Sequence, residues 1–148
     1  MNSIKDIDTV DIDLNEPAVV AIDQRLLPND VELLRLTTKE EIYDAIKTLA
    51  VRGAPAIGVC AALGIYVVAS RMSGDCASNE AFEKAYMEAS DYIESSRPTA
   101  VNLSWALKRM KSCFLKNRGA DREALLLALR GEAIAIRDED IEMCKKIG

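Results

Sequence analysis

Two short segments carry the residue types that could do chemistry. Arg52-Gly53-Ala54-Pro55 and Arg97-Pro98-Thr99-Ala100 each set an arginine just ahead of a proline, where an apolar helical pattern begins. A helix N-terminus exposes unpaired N–H groups and carries partial positive charge. The usual remedy is a Ser, Thr, Asp or Asn cap, worth about 1 kcal/mol. Here the residues before the two prolines are Ala54 and Arg97, whose side chains cannot accept a hydrogen bond from the helix, and Arg52 and Arg97 add positive charge where the dipole is already positive. Such a pair of starts suits an anion. A phosphate would accept from the free N–H groups and from both guanidinium forks, and Gly53 and Ala54 would let it approach the backbone closely. Solvent, or a carboxylate from elsewhere in the chain, would satisfy the same groups, and Gly and Ala serve tight helix packing equally well.

The rest of the composition narrows what else the chain can do. It has 148 residues and no histidine. That removes Ser-His-Asp and Cys-His nucleophile systems and the usual catalytic zinc sites. Any acid or base must be a carboxylate, a thiol, a lysine or a tyrosine. Cys60, Cys76, Cys113 and Cys144 are scattered without a CxxC pair, so neither structural zinc nor a disulfide framework is expected, and reduced thiols in a cytoplasm are. The net charge of -5 argues against a general nucleic-acid binder, which needs clustered Lys and Arg to displace counterions. The first residues are too acidic for a signal or transit peptide. The uncharged run from Ala54 to Ser70 falls short of the roughly 20 apolar residues that span a bilayer, and its glycines and alanines read as a buried core helix. Asp140, which interrupts the apolar stripe of the last helix, and Asp23, Gln24 and Arg25 at a strand end have structural readings as good as functional ones. The acidic run from Asp6 to Asp13 reads as a solvated sheet edge, and Trp105 has no spacing that suggests base stacking.

The elements that must position the two arginine segments follow from periodicity. Val10, Ile12 and Leu14 alternate with Asp11 and Asp13, Ala18 to Asp23 is a short β-branched run, and Val31 to Thr37 makes a third strand, with turns at Asn15-Glu16-Pro17 and Leu27-Pro28-Asn29-Asp30. After Thr37 the period becomes helical. Thr38 to Glu41 fits a capping box, and Ile42, Ala45, Ile46 and Leu49 form one stripe. The second helix opens at Pro55 and runs to about Met72; the third is capped by Ser78 or Asn79. Pro98 is expected to start the fourth, and Asp121 caps the last. The predicted architecture is α+β and mostly helical, a single domain: a three-stranded antiparallel meander (1–37) followed by a bundle of about five helices (38–148).

The segments Ile22-Asp23-Gln24-Arg25-Leu26-Leu27-Pro28, VRGAPAIG at Val51 to Gly58 and RPTAVNL at Arg97 to Leu103, with Asp138-Glu139-Asp140 and the closing Ile147-Gly148, stand in an order and spacing that resemble a known pattern. They resemble the N-terminal domain of methylthioribose-1-phosphate isomerases, a superfamily that includes ribose-1,5-bisphosphate isomerase and regulatory subunits of the guanine-exchange factor for translation initiation. The resemblance covers essentially the whole chain. It implies an aldose–ketose isomerase of methionine salvage, working in the cytoplasm without metal or nucleotide cofactor. It implies substrate binding by Arg52, Gly53, Ala54 and Arg97, the same residues the capping argument selects. In that family the catalytic cysteine and aspartate lie in a second, Rossmann-like domain C-terminal to this one. No catalytic residue is therefore expected here: none of the four cysteines matches the family's motif, and Asp140 matches a structural position. Leu63 and Ser104 depart from the pattern and imply altered packing. The expected partners are a phosphorylated sugar and either a second copy or a separately encoded C-terminal domain, with no nucleic acid and no membrane. On this reading the chain ends before the second domain and is inactive alone. The rival expectations are a non-catalytic sugar-phosphate or nucleotide sensor, a regulatory subunit, and the ribose-1,5-bisphosphate isomerase lineage.

Overall fold

An apolar helix with no polar face has to be surrounded, and the fold is arranged around one. In a computed structural model, residues 10–22, 32–48 and 54–147 are described. Helix α2 (Ala54–Met72) is apolar all round, and Val59 to Ala69 is almost continuously buried. By length and composition the stretch Ala56–Asp75 is sufficient to cross a membrane, a correction to the shorter run read from sequence, but 72% of it is buried inside the molecule. It is a core helix, as a helix without a polar face must be in a globular domain.

The other elements wrap it. Strands β1 (Val10–Asp13), β2 (Ala18–Ile22) and β3 (Leu33–Leu36) form an antiparallel sheet in the order β1-β2-β3. The register pairs Val10 with Ala21 and Val19 with Leu36, so these four apolar side chains share the buried face. Helices α1 (Lys39–Lys47), α3 (Asn79–Glu94), α4 (Val101–Lys116) and α5 (Arg122–Ile147) follow, and each packs on α2, as do β1 and β2. The meander-plus-helices expectation holds. Two details of β1 differ. Leu14 lies in the turn and is exposed. Asp11 is not simply solvated: Arg137 of α5 donates to its Oδ1 at 2.5 Å, tying the first strand to the last helix. The expected turn at Leu27 to Asp30, the residues Asp23, Gln24 and Arg25, and Leu49 lie outside the described residues.

Three helix starts follow the expected caps. Thr38 and Glu41 complete a reciprocal capping box on α1, Ser78 Oγ accepts from the Ala81 N–H of α3, and Asp121 Oδ1 accepts from the Ala124 N–H of α5. The fourth differs. Helix α4 begins at Val101, not at Pro98. The Ala100 N–H donates to the Arg97 carbonyl at 2.9 Å, closing a turn with Pro98 in its second position. Proline's fixed φ suits that position as well as it suits a first helical residue.

Close approach to α2 is made possible by glycine. A Cβ on Gly64 would lie 2.7 Å from Ile42 Cδ1 and 3.2 Å from its Cγ2, and Ile42 is fully buried. Gly64→Ala is therefore expected to lose about 1–3 kcal/mol to overpacking, less the roughly 1 kcal/mol that alanine gains over glycine in a helix. In urea titrations Ile42→Val, which removes Cδ1, should recover part of that loss. Gly131→Ala, where a Cβ meets nothing within 4 Å, should instead stabilise by about 0.5–1 kcal/mol; equal effects at the two glycines would contradict the packing account.

The capping box also sets a pH dependence. Glu41 Oε1 accepts from the Thr37 N–H at 2.8 Å and from the Thr38 N–H at 3.3 Å. The Thr37 N–H is the main cause of a carboxyl held below its ordinary range. A lowered folded value gives stability that is present above the ordinary range and lost as pH falls through the lowered one. The unfolding free energy of wild type relative to Glu41→Gln should therefore be positive at neutral pH and shrink towards zero in acid.

Candidate anion site at the starts of two helices

The two helix starts singled out by the sequence differ from the other three in charge. The first turns of α1, α3 and α5 carry Glu40 and Glu41, Glu80, and Glu123. The first turns of α2 and α4 carry no acidic residue. The N-cap of α4 is Ala100, in an extended conformation and without a side-chain hydrogen bond to the helix. The first intrahelical bond there runs from the Ser104 N–H to the Ala100 carbonyl, which leaves the N–H groups of Val101, Asn102 and Leu103 ahead of it.

A carboxylate from elsewhere does not fill this role among the described residues. Glu94, at the close of α3, accepts instead from Ser104 Oγ at 2.7 Å. Ser104 thus joins the end of α3 to the first turn of α4.

The fold brings the two unusual starts together. A Cβ on Gly58, one turn into α2, would lie 3.1 Å from the backbone oxygen of Asn102, the second residue of α4. A side chain there would have to push the first turn of α4 outward by a few tenths of an ångström. Ala54 is the first residue of α2; Arg52 and Gly53 directly precede it in sequence and lie outside the described residues. Arg97 sits four residues before α4, half-buried. Its backbone closes the turns to Glu94 and Ala100, while its guanidinium has no hydrogen bond or ion pair among the described residues. Six other arginines (35, 71, 109, 118, 122 and 137) do make side-chain hydrogen bonds.

Two of the thiols offer no nucleophile near neutral pH. Burial pushes the Cys60 thiol up to about 12. Cys113 is also raised, chiefly by burial, and its Sγ lies 3.4 Å from the Ala128 carbonyl. A reactive cysteine needs an electropositive, accessible setting, and neither has one. The side chains of Asp140 and Cys144 lie outside the described residues.

The geometry matches known proteins. The chain is 49% identical over 136 residues to a 5-deoxyribose 1-phosphate isomerase of Clostridium botulinum, a match covering 92% of this chain and 38% of that protein. The crystal structure of a 5-methylthioribose 1-phosphate isomerase from Pyrococcus horikoshii OT3 superposes with a TM-score of 0.84 at 35% identity, over 90% of this chain and 36% of that one. The translation initiation factor eIF-2B subunit delta from A. fulgidus superposes with a TM-score of 0.82 at 34% identity, over 92% and 38%. This chain therefore spans well under half the length of the relatives it matches. Residues 50–148, which hold both arginine segments and α2 to α5, match the initiation factor 2 subunit family, IF-2B, and the chain belongs to that family.

Proposed function

We propose that this chain is the N-terminal, phosphate-holding portion of an aldose–ketose isomerase whose substrate is a ribose 1-phosphate altered at C5, either methylthioribose 1-phosphate or 5-deoxyribose 1-phosphate. The observation that carries the reading is the juxtaposition of two helix starts without an acidic first turn, the second also without a side-chain cap, beside an arginine whose side chain has no partner among the described residues. Arg52, Gly53, Ala54 and Arg97 are the proposed binding residues. The two arginines supply guanidinium forks, and Gly53 and Ala54 supply backbone N–H groups that a phosphate oxygen can approach.

Isomerisation moves hydrogen between C1 and C2 and needs an acid–base pair around the sugar. This chain has no histidine, and Cys60 and Cys113 are held as thiols. The phosphate clamp is on this chain and the acid–base groups are on the part of the isomerase that it does not span, so the 148-residue chain alone should show no turnover. The free thiols Cys60, Cys76 and Cys113 suit a reducing cytoplasm.

A second reading, a non-catalytic regulatory subunit, draws support from the similarity to the eIF-2B delta structure. Binding experiments separate the two. Inorganic phosphate and ribose 1-phosphate titrated into the labelled chain should shift amide resonances at the start of α4. Arg97→Ala should weaken that binding by about 10- to 100-fold, the value of a hydrogen-bonded charge of roughly 1.5–3 kcal/mol, and Arg97→Lys should restore part of it. Unchanged affinity in Arg97→Ala would remove the clamp and favour the regulatory reading. Gly58→Ala, which pushes against the Asn102 backbone, should weaken phosphate binding while the chain stays folded by circular dichroism.

A further inference from the structure

The last turn of α3 carries two acids and no base, and α4 takes up both. Asp91 Oδ1 pairs with Lys111 Nζ at 3.7 Å, and Glu94 Oε2 accepts from Ser104 Oγ at 2.7 Å. A helix C-terminus is already partly negative, so acids there favour a nearby cation. The arginine closest to Glu94 in sequence is Arg97, three residues on.

Arg97 is held where it could serve as that cation. Its N–H donates to the Glu94 carbonyl at 3.4 Å, so the two residues share one turn. The turn is stiffened by two hydroxyls: Ser95 Oγ donates to the Tyr92 carbonyl at 2.5 Å and Ser96 Oγ to the Ile93 carbonyl at 2.6 Å. Opposite charges three residues apart on a helical turn are neighbours and ordinarily attract. Glu94 and Arg97 do not pair. The carboxylate is held from α4 by Ser104, and the guanidinium has no partner among the described residues. A hydroxyl donating to a carboxylate makes a strong, charge-assisted hydrogen bond, whereas an exposed ion pair gains little. The serine therefore keeps the carboxylate.

We propose that Ser104 is a positioning residue for the anion site: by holding Glu94 it leaves the Arg97 guanidinium to the phosphate. The identity of the anion rests on the proposed function; the competition of Ser104 and Arg97 for Glu94 does not. Without the hydroxyl, Glu94 is an internal competitor that occupies the same guanidinium fork as the anion. Ser104 also makes the first intrahelical bond of α4, its N–H donating to the Ala100 carbonyl at 3.2 Å. One residue thus sets the helix start and clears the charge beside it.

The test titrates inorganic phosphate into the isotope-labelled chain and follows the Arg97 Nε–H resonance, assigned by its absence from Arg97→Lys. Ser104→Ala should move that resonance before phosphate is added, as Glu94 turns onto Arg97. It should also weaken phosphate binding by about 2- to 5-fold, the worth of an exposed ion pair. Alanine is the better helix former, so circular dichroism should show α4 intact. Adding Glu94→Gln to Ser104→Ala should return both the resonance and the affinity to their wild-type values, and Ser104→Thr, which keeps the hydroxyl, should bind phosphate as wild type does. A purely structural serine predicts otherwise, because Glu94→Gln restores no bond to residue 104. An unmoved Arg97 resonance or unchanged affinity in Ser104→Ala, or a loss that Glu94→Gln does not repair, overturns the proposal and leaves the anion reading standing. Unchanged phosphate affinity in Arg97→Ala removes the anion reading itself and this proposal with it.

Discussion

Helix α2 can be stable only if every side of it is covered, and this single requirement sets most of the structure. Its residues supply no polar face to turn towards water, so four helices and the sheet must all reach it. They reach it because its side chains are small where neighbours cross. Gly64 takes Ile42 of α1 at distances where an added Cβ would force that side chain to shift, and Gly58 takes the backbone of α4. The Phe114 ring, with its centroid 4.4 Å from that of Tyr86 and 5.7 Å from that of Phe82, closes α3 onto α4 beside it. Packing this dense moves as a unit, and anything attached to its ends inherits that rigidity.

The proposed site is attached there. Because Gly58 sits one turn into α2 and faces the second residue of α4, the same contact that closes the core also sets two helix starts in one place. A start without a cap or an acidic residue gives up stability that the other three helices retain. The start of α4 has neither, the first turn of α2 beside it has no acidic residue, and Arg97 between the third and fourth helices has no side-chain partner among the described residues; together these would favour an anion there. Backbone donors fixed by a packed core need no reorganisation when an anion arrives, which is the physical advantage of such a site over one made of flexible lysines.

Much of this was legible in the sequence where the deciding physics is local. Thr38, Ser78 and Asp121 cap their helices as residues of their type do, and α2 declares itself by composition. The start of α4 was not legible, because proline fixes the same φ in a turn as in a first helical turn; the choice was made by the Ala100 N–H bonding the Arg97 carbonyl. Asp11 looked like a solvated edge residue because its partner, Arg137, is 126 positions away. Trp105 was weighed only as a base-stacking residue for a related reason. An exposed aromatic is recognisable only once the buried face of its helix is known. The absence of caps at Ala54 and Arg97 was visible from the start, but the adjacency of those two ends is a property of Gly58 and Asn102 that no periodicity encodes.

An isomerase and an initiation-factor subunit share this scaffold at 35% and 34% identity, and a shared scaffold does not fix an activity. The two faces of α4 suggest how one helix serves different ends. Its buried face is constrained by α2 and α5 and cannot vary without loss of the core. Its outer face, from Val101 to Leu115, is more exposed, and there the Arg109 guanidinium, held by carboxylates of α5, stands over the Trp105 ring. The two faces meet at the helix start, where the free N–H groups of Val101, Asn102 and Leu103 lie. On the proposed function binding and chemistry are separable: the rigid half would hold the phosphate, and what is done to the rest of the ligand would be decided by the portion of the isomerase that this chain does not span.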